Sequence, residues 1–235
     1  ISSRCRTNSH VLSVLERLPD IRKFHQWLIY GLQRSEPQRC PKYGRFPPNR
    51  MFHMDQVPLT PFSGGTKTMA EAGSAVNIRA DGGSSSEKRF CTLQVCICAD
   101  PNGQKMKLEI IFRGQGKRLT AEEWDFYRSL DNVTVRFQPK AWADERYMQQ
   151  WYIAFRESTL DLGEVMLGMD RHGSQKTDWC QTFMKLFAIV PVYTPPNCTD
   201  CVSPVDHHVG KTLKTKIRKL AHEEFDGDGW HGGDL

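Results

Sequence analysis

The fold of this chain is decided by the stretch Glu164-Val165-Met166-Leu167-Gly168-Met169-Asp170 and by the fifty residues that follow it. The apolar run from Val165 to Met169 ends at Asp170, which predicts a buried strand with a carboxylate at its C-terminal tip. Apolar residues spaced by three and four over 178–187 then predict a helix, and 188–192 a second buried strand. The apolar positions of this helix are Trp179, Phe183, Leu186 and Phe187. The order strand, helix, strand is typical of an α/β fold.

A helix that begins after Pro204 is predicted to place another carboxylate in the core. At 100° per residue, Asp206 falls within about 60° of the apolar positions of this helix. These positions are Val209, Leu213, Ile217 and Leu220. A lone buried carboxylate is costly, so Asp206 needs a metal ion or another cation as a partner, and Asp170 is the expected co-ligand.

A third carboxylate follows an apolar run earlier in the chain. Arg50-Met51-Phe52-His53-Met54 ends at Asp55 and is stopped by Pro58, which predicts a strand that ends at Asp55. Most acids are solvated surface groups. Two acids at strand ends and one on an apolar stripe instead favour a metal site formed by Asp55, Asp170 and Asp206. Their hard oxygen ligands suit Mg²⁺ or Mn²⁺.

The order and spacing of three phrases carry a family resemblance. MDQVPL, VMLGMD and TPPNCTDCVSPVD followed by LK resemble the DDE superfamily endonuclease domain of pogo-type mariner transposases, a group that includes centromere protein B and the Jerky-like proteins. The resemblance covers about residues 50–220, with 35 residues between the second and third acids. It implies an RNase H-like mixed sheet flanked by helices.

The resemblance also implies a chemistry and a setting. Two Mg²⁺ or Mn²⁺ ions would be held by the three aspartates, with Asp55 as the bridge, for the cleavage of DNA phosphodiester bonds and for strand transfer. DNA is then the partner and the nucleus the location, and a homodimer is compatible with this interpretation.

Three positions depart from the family pattern. Gln175 stands where a second histidine is usual, Arg171 where a small residue is common, and Ser203 where the family has Gln. Arg171 could pair with Asp170 and compete with a metal ion. The alternative function is therefore a domesticated, catalytically inactive DNA-binding or scaffolding protein on the same fold. His172 either orients a ligand or the scissile phosphate, or is a solvent-facing loop residue.

Basic residues near the site are predicted to contact DNA phosphates. Lys211, Lys214 and Arg218 lie on one flank of the helix after Pro204 and are called the basic ridge below. Lys140 is the fourth predicted contact. Such contacts bind any sequence, and a solvated helix face is the alternative.

Composition and charge bound the domain organisation. The chain has 235 residues, of which 39% are hydrophobic, and this length suits one substantial core with an appendage. The net charge is +5, and the first fifty residues hold ten Lys and Arg against three Asp and Glu. This excess favours a polyanionic partner near that end, although a solvated basic face is the commoner interpretation. Because the chain begins with Ile, we expect a fragment of a longer protein.

We expect three regions: a basic helical segment and linker over 1–49, the RNase H-like DDE domain over 50–225, and a flexible tail over 226–235. The first region is predicted as a helical hairpin, with one helix from Asn8 or Ser9 to Leu18 and another from Pro19 to about Leu32. Residues 60–86 are predicted as a loop. The other predicted elements are strands over 89–99, 107–113 and 133–137, a helix over 120–130 and a helix capped by Asp144.

The eight cysteines are spaced irregularly, which predicts free thiols in a reducing compartment. No apolar stretch is long enough to cross a bilayer, so we expect no membrane partner. Cys198 and Cys201 invite a zinc site, but His207 and His208 are adjacent rather than three to five residues apart, which disfavours it.

Overall fold

The computed structural model describes residues 2–5, 12–33, 44–59, 67–70 and 91–227, and a mixed sheet of six strands lies at its centre. The strands of this sheet are β2 (Met51–Leu59), β4 (Cys91–Cys98), β5 (Leu108–Arg113), β6 (Val133–Gln138), β7 (Val165–Met169) and β8 (Ile189–Tyr193). Their spatial order is β6-β5-β4-β2-β7-β8. Only β4 runs against its neighbours, so the other five strands end at the same edge of the sheet. Two further strands, β1 (Ser2–Cys5) and β3 (Lys67–Ala70), form a separate antiparallel pair that the sequence analysis did not predict.

Helices cover both faces of the sheet. They are α1 (Val14–Gln26), α2 (Ala121–Ser129), α3 (Glu145–Thr159), α4 (Asp178–Leu186), α5 (Thr199–Val202) and α6 (Gly210–Gly227). A π-helical segment, Trp27–Gln33, extends α1, and another, Val205–Val209, precedes α6. The helices α3 and α4 pack on one face, and α1 and α6 on the other. This arrangement confirms the predicted mixed α/β sheet flanked by helices.

Capping and alternation explain why the elements lie where they do. Asp144 caps α3 by accepting a hydrogen bond from the backbone N–H of Tyr147 at 2.8 Å, as predicted. Along β2, Phe52 and Met54 point to the α3 face, where Phe52 meets Phe155 at 5.3 Å between ring centroids. Side chains alternate between the two faces along a strand, so His53 and Asp55 point away from α3. Asp55 therefore lies on the face that carries α6.

The predicted N-terminal hairpin is wrong: residues 14–26 form one helix that continues into the π-helical segment. Its start is set by a capping box between Ser13 and Glu16, and Asn8 and Ser9 lie outside the described residues. Pro19 is tolerated inside α1 because the carbonyl that loses its N–H partner belongs to Leu15, which is exposed to water.

This helix is anchored to the sheet rather than separate from it. Phe24 and Leu28 pack beside Met166 and Val192 of β7 and β8. The buried Arg17 guanidinium pairs with Asp200 and donates to the backbone carbonyl of Asn197. The helix α1 therefore belongs to the same packed unit as the sheet.

Two predicted details of the sheet region are also wrong. The strand β2 does not end at Asp55 but continues to Leu59. Pro58 is accommodated because β2 has lost β7 as a neighbour there and pairs only with β4.

In α4 the fully buried residues are Cys180 and Met184, and of the predicted apolar positions Phe183 packs half-buried against the core. Both sets have helical spacing, so periodicity alone could not choose between them. Trp179 is 37% exposed, Phe187 44% and Leu186 73%.

Several predictions fall partly or wholly outside the described residues. They include residues 34–43 of the predicted N-terminal segment and linker, the loop over 60–86 apart from β3, and residues 228–235 of the tail. The cysteines whose side chains are described are free thiols, namely Cys91, Cys96, Cys98, Cys180, Cys198 and Cys201. Among the described helices, none combines the length and the apolar character that a bilayer crossing requires.

Candidate functional site

Asp55 and Asp170 lie on neighbouring parallel strands. The register of β2 and β7 pairs Phe52 with Leu167 and His53 with Gly168. Two residues further along each chain, just past the end of this pairing, Asp55 and Asp170 reach the same level. The strands that carry these two acids are therefore adjacent in the sheet.

A close contact between His53 and Gly168 brings these strands together just before the two acids. A Cβ on Gly168 would come within 2.5 Å of the His53 imidazole. Only glycine leaves room for the ring, which explains the glycine inside an otherwise apolar strand. Burial lowers the pKa of His53 to about 4, so its imidazole is neutral at physiological pH.

Asp55 is the most enclosed of the three acids, with 7% of its surface exposed. Its Oδ1 accepts a hydrogen bond from the backbone N–H of Gln56 at 2.7 Å, and its Oδ2 accepts one from the Ser203 hydroxyl at 3.1 Å. The same hydroxyl oxygen accepts a hydrogen bond from the backbone N–H of Asp206 at 3.2 Å. Ser203 thus links the strand that carries Asp55 to the start of the last helical segment.

The pKa of Asp55 is raised to about 7. Burial is the main cause, and the negative charges of Asp206 and Asp170 raise it further, while the hydrogen bonds from Gln56 and Ser203 lower it. The three predicted acids therefore act on one another electrostatically. Since their charges repel, a bound cation would lower the free energy of the ionised cluster.

Asp206 is exposed, contrary to the prediction that it lies on the buried stripe. The reason is the π-helical segment Val205–Val209, which accommodates an extra residue in the turn. Val205 rather than Asp206 is therefore in phase with Val209 and Leu213, and it is fully buried. Leu220, also predicted on the stripe, is 60% exposed.

The side chains of the site are not arranged around a single ion position. Within the described ranges, no three Asp, Glu, His or Cys side chains are placed so that they could hold one metal ion together. The side chains of His207 and His208, the other candidate zinc ligands, lie outside the described part, so the absence of a zinc site stays a prediction. The chemistry of the acids still fits a hard divalent cation, because their carboxylates supply the oxygen donors that such ions prefer.

His172 holds the loop that follows Asp170. Its backbone N–H donates to Asp170 Oδ1 at 3.1 Å, and its Nδ1 is 2.8 Å from the Ser174 hydroxyl. Its ring lies 6.2 Å from that of Trp142 between centroids. His172 is therefore half-buried against the loop after β6 rather than facing solvent. Its predicted role toward a ligand stays a prediction.

Arg171 is exposed and forms no ion pair with Asp170 in the described part of the chain. Its charge instead acts on Tyr193, where it opposes the rise in the pKa of the phenol that burial causes. The predicted competition between Arg171 and a metal ion thus has no contact to support it.

The predicted DNA contacts lie near the same edge of the sheet. Lys140 is exposed in the turn after β6, which ends at the same edge as β7. Along α6, Lys211, Lys214 and Arg218 are three and seven residues apart, which places their positions on one flank. Lys211 is exposed and Lys214 half-buried, while the Arg218 side chain lies outside the described part. Contact with DNA stays a prediction for all four.

Sequence reasoning missed the roles of Ser203 and of the pair His53 and Gly168. The glycine within the apolar strand was the one available signal, because such a glycine often marks a close approach. Nothing in the sequence named His53 as the group that approaches, since its partner lies more than a hundred residues away.

Comparisons with known proteins bear on the family and the fold. Residues 88–225 match the model of a family described as DDE superfamily endonuclease. The matched segment contains Asp170 and Asp206 and begins after Asp55. A search of curated protein sequences finds no match.

Solved structures of a mariner transposase share the fold. The Mos1 mariner paired-end complex with Mn has a TM-score of 0.52 and 11% identity, over 92% of this chain and 53% of that one. The corresponding complex with Mg has a TM-score of 0.45 and 11% identity, over 97% of this chain and 60% of that one. The Mos1 strand transfer complex has 0.44 and 10%, over 100% and 59%. The chain thus spans little more than half the length of these transposase chains, and the likeness to the first of them shows an RNase H-like fold.

Proposed function

Because the chain belongs to the DDE superfamily of endonucleases, we propose that it is the catalytic part of a divalent-metal-dependent transposase. It cleaves DNA phosphodiester bonds and carries out strand transfer. The observation that carries this proposal is the environment of Asp55, a buried carboxylate whose pKa is raised to about 7 by burial and by the charges of Asp206 and Asp170. A cluster of repelling acids on adjacent strands and a helix start is suited to binding cations.

In this proposal Asp55, Asp170 and Asp206 would hold two ions, Mg²⁺ or Mn²⁺. When bound, such a pair of ions activates the attacking oxygen and stabilises the leaving oxygen of the phosphodiester. Around them, Gln56 and Ser203 fix the two oxygens of Asp55, and the His172 backbone fixes Asp170.

The basic side chains have a separate role. Lys140 and the basic ridge attract the DNA backbone by charge, without reading its sequence. DNA ends are the proposed substrate, and the fold likeness to the Mos1 mariner paired-end complex with Mn supports this choice.

A non-cleaving DNA-binding or scaffolding protein is the second candidate. The Ser203 hydroxyl already donates a hydrogen bond to one carboxylate oxygen of Asp55. Among the described residues, no three acids are placed so that they could hold one metal ion together. The departure from the family pattern at Gln175 also favours this alternative. On this alternative the fold and the basic surface are retained while cleavage is lost.

We further propose that the protein acts in the nucleus and as a homodimer, in line with the family to which it belongs. The location is tested by imaging a fluorescent fusion of the full-length protein in cells that express it. A fusion excluded from the nucleus would contradict this part of the proposal.

Nicking of supercoiled plasmid DNA tests the proposed activity. The protein is expected to nick with Mg²⁺ or Mn²⁺ and not with EDTA, and Asp55→Asn, Asp170→Asn and Asp206→Asn are each expected to abolish nicking. Asp161→Asn is the matched control, because Asp161 is an exposed acid outside the site. Nicking that survives in the Asn variants would contradict the proposal. A wild-type protein that binds DNA but cleaves with neither metal would establish the alternative.

A further inference from the structure

A groove opens beside the end of β8, the outermost strand of the sheet on this side. Residues of α1 and of the loop that follows β8 line it. Its volume of about 440 Å³ lies within the roughly 300–1,000 Å³ of small-molecule sites. Ligands of open α/β sheets bind in crevices outside the carboxyl ends of the strands, and both β7 and β8 run toward this end. The groove therefore lies where a ligand is expected.

The groove begins one residue beyond the second acid of the candidate site. Arg171, which follows Asp170 in the chain, is one of its lining residues. The backbone N–H of Thr194 donates to the carbonyl of Met169 at 2.9 Å, so the loop after β8 leaves the sheet beside the tip of β7. A DNA strand that passes Asp170 would therefore meet this groove next.

One wall of the groove offers an exposed aromatic surface. The Trp27 indole is 46% exposed, and the Phe24 ring lies beside it, with 6.3 Å between the ring centroids. Phe24 packs in turn with Met166 and Val192 of the sheet, so the indole rests on a fixed neighbour. The prolines at 195–196 add a rigid apolar wall. Nucleobases stack on exposed aromatic side chains of this kind whatever their sequence.

The charges around the groove favour an anionic ligand. Lys23 and Arg171 line it and are both exposed, and Asp20 is the one acid among the described lining residues. Lys176, also exposed, adjoins the groove, with its ammonium 5.9 Å from the centroid of the Tyr193 ring. An aromatic surface among exposed cations is the combination that binds single-stranded nucleic acid, because the rings take the bases and the cations take the phosphates.

We propose that this groove binds an unpaired nucleotide of the DNA strand that passes Asp170. The base stacks on Trp27, while Lys23 and Arg171 contact the flanking phosphates. In an intact duplex the faces of the bases are covered by their neighbours, so the Trp27 surface selects single-stranded ends or extruded nucleotides. The choice of DNA as the ligand rests on the proposed function, but the contact needs neither metal ions nor cleavage.

Three fluorescent DNA probes separate stacking from charge attraction when binding is measured by anisotropy in EDTA. One is a blunt duplex, the second carries a single-stranded adenine tail, and the third carries a tail of abasic nucleotides of equal length. The wild type is expected to bind the adenine tail about tenfold more tightly than the abasic tail, because a base gains a stacking partner. The abasic tail should bind more tightly than the blunt duplex because it adds phosphates.

Variants assign each preference to a side chain. Trp27→Leu is expected to remove the preference for the adenine tail over the abasic tail, and Trp27→Tyr to keep most of it. Lys23→Ala and Arg171→Ala should each reduce the advantage of the abasic tail over the blunt duplex and lower the salt slope of its binding. Trp179→Leu is the matched control, because Trp179 is also exposed but does not line the groove.

An adenine tail that binds no more tightly than the abasic tail would overturn the proposal. A preference that survives Trp27→Leu, or that Trp179→Leu removes equally, would overturn it too. These outcomes are separate from plasmid nicking. A protein that nicks without preferring the adenine tail would retain the proposed function and refute the role of the groove, whereas one that prefers the tail but never nicks would fit the non-cleaving alternative.

Discussion

Replacement of Asp55 by Asn is expected to remove a pH-dependent loss of stability. The folded protein holds the pKa of Asp55 at about 7, against an ordinary value of 3.8. Between these values the folded state keeps a proton that the unfolded state has lost, so the free energy of unfolding falls as the pH rises through this window. For a single group with this shift, the loss between pH 5 and pH 8 is roughly 2–3 kcal/mol.

Urea unfolding in EDTA at pH 5 and at pH 8 measures this effect. At pH 5 the two proteins should be similarly stable, because a protonated Asp and an Asn carry the same charge and make similar hydrogen bonds. At pH 8 the Asn variant should be the more stable, with a difference that has grown by roughly 2–3 kcal/mol. Asp161→Asn controls for the loss of an acid elsewhere. Parallel pH profiles for the wild type and Asp55→Asn would refute the burial and repulsion assigned to Asp55.

Three further predictions follow from the packing and the charges. Gly168→Ala is expected to lower the free energy of unfolding in urea by about 1–3 kcal/mol, because its Cβ would overlap the His53 ring. Adding His53→Ala should recover part of this loss. Strictly additive losses of stability in the double variant would contradict the contact. Arg17→Ala is expected to speed amide hydrogen exchange in α1, because the buried guanidinium anchors that helix through Asp200; unchanged protection would mean that apolar contacts alone hold α1. Replacing the basic ridge by alanine is expected to lower the salt slope of duplex DNA binding by roughly one unit per lost phosphate contact, and an unchanged slope would mean that DNA binds elsewhere.

The sequence predicts the strands of the sheet well because strands leave strong local signals. The apolar run before Asp170 has the length of a buried strand, and the observed strand β7 ends one residue before it. The N-cap of α3 at Asp144 and the end of α2 near residue 130 are likewise set by neighbouring residues in the sequence. These signals depend on neighbours within a few residues, so they are visible without the tertiary structure.

The errors arise where tertiary packing selects between equivalent patterns. A π-helical segment before α6 shifted the phase by one residue, which put Val205 rather than Asp206 in the core. In α4 two sets of residues have helical spacing, and the sheet covers the set with Cys180 and Met184. The link from Ser203 to Asp55 joins residues 148 positions apart, and no local pattern encodes such a contact.

Diffraction from crystals soaked in Mn²⁺, with anomalous data collected near the manganese edge, tests the central claim most directly. The account predicts two anomalous peaks about 4 Å apart. Asp55 should touch both ions, and Asp170 and Asp206 one each. Crystals of Asp55→Asn should lose at least one of the peaks. Manganese bound only at sites remote from these three carboxylates, or not bound at all, would contradict the account.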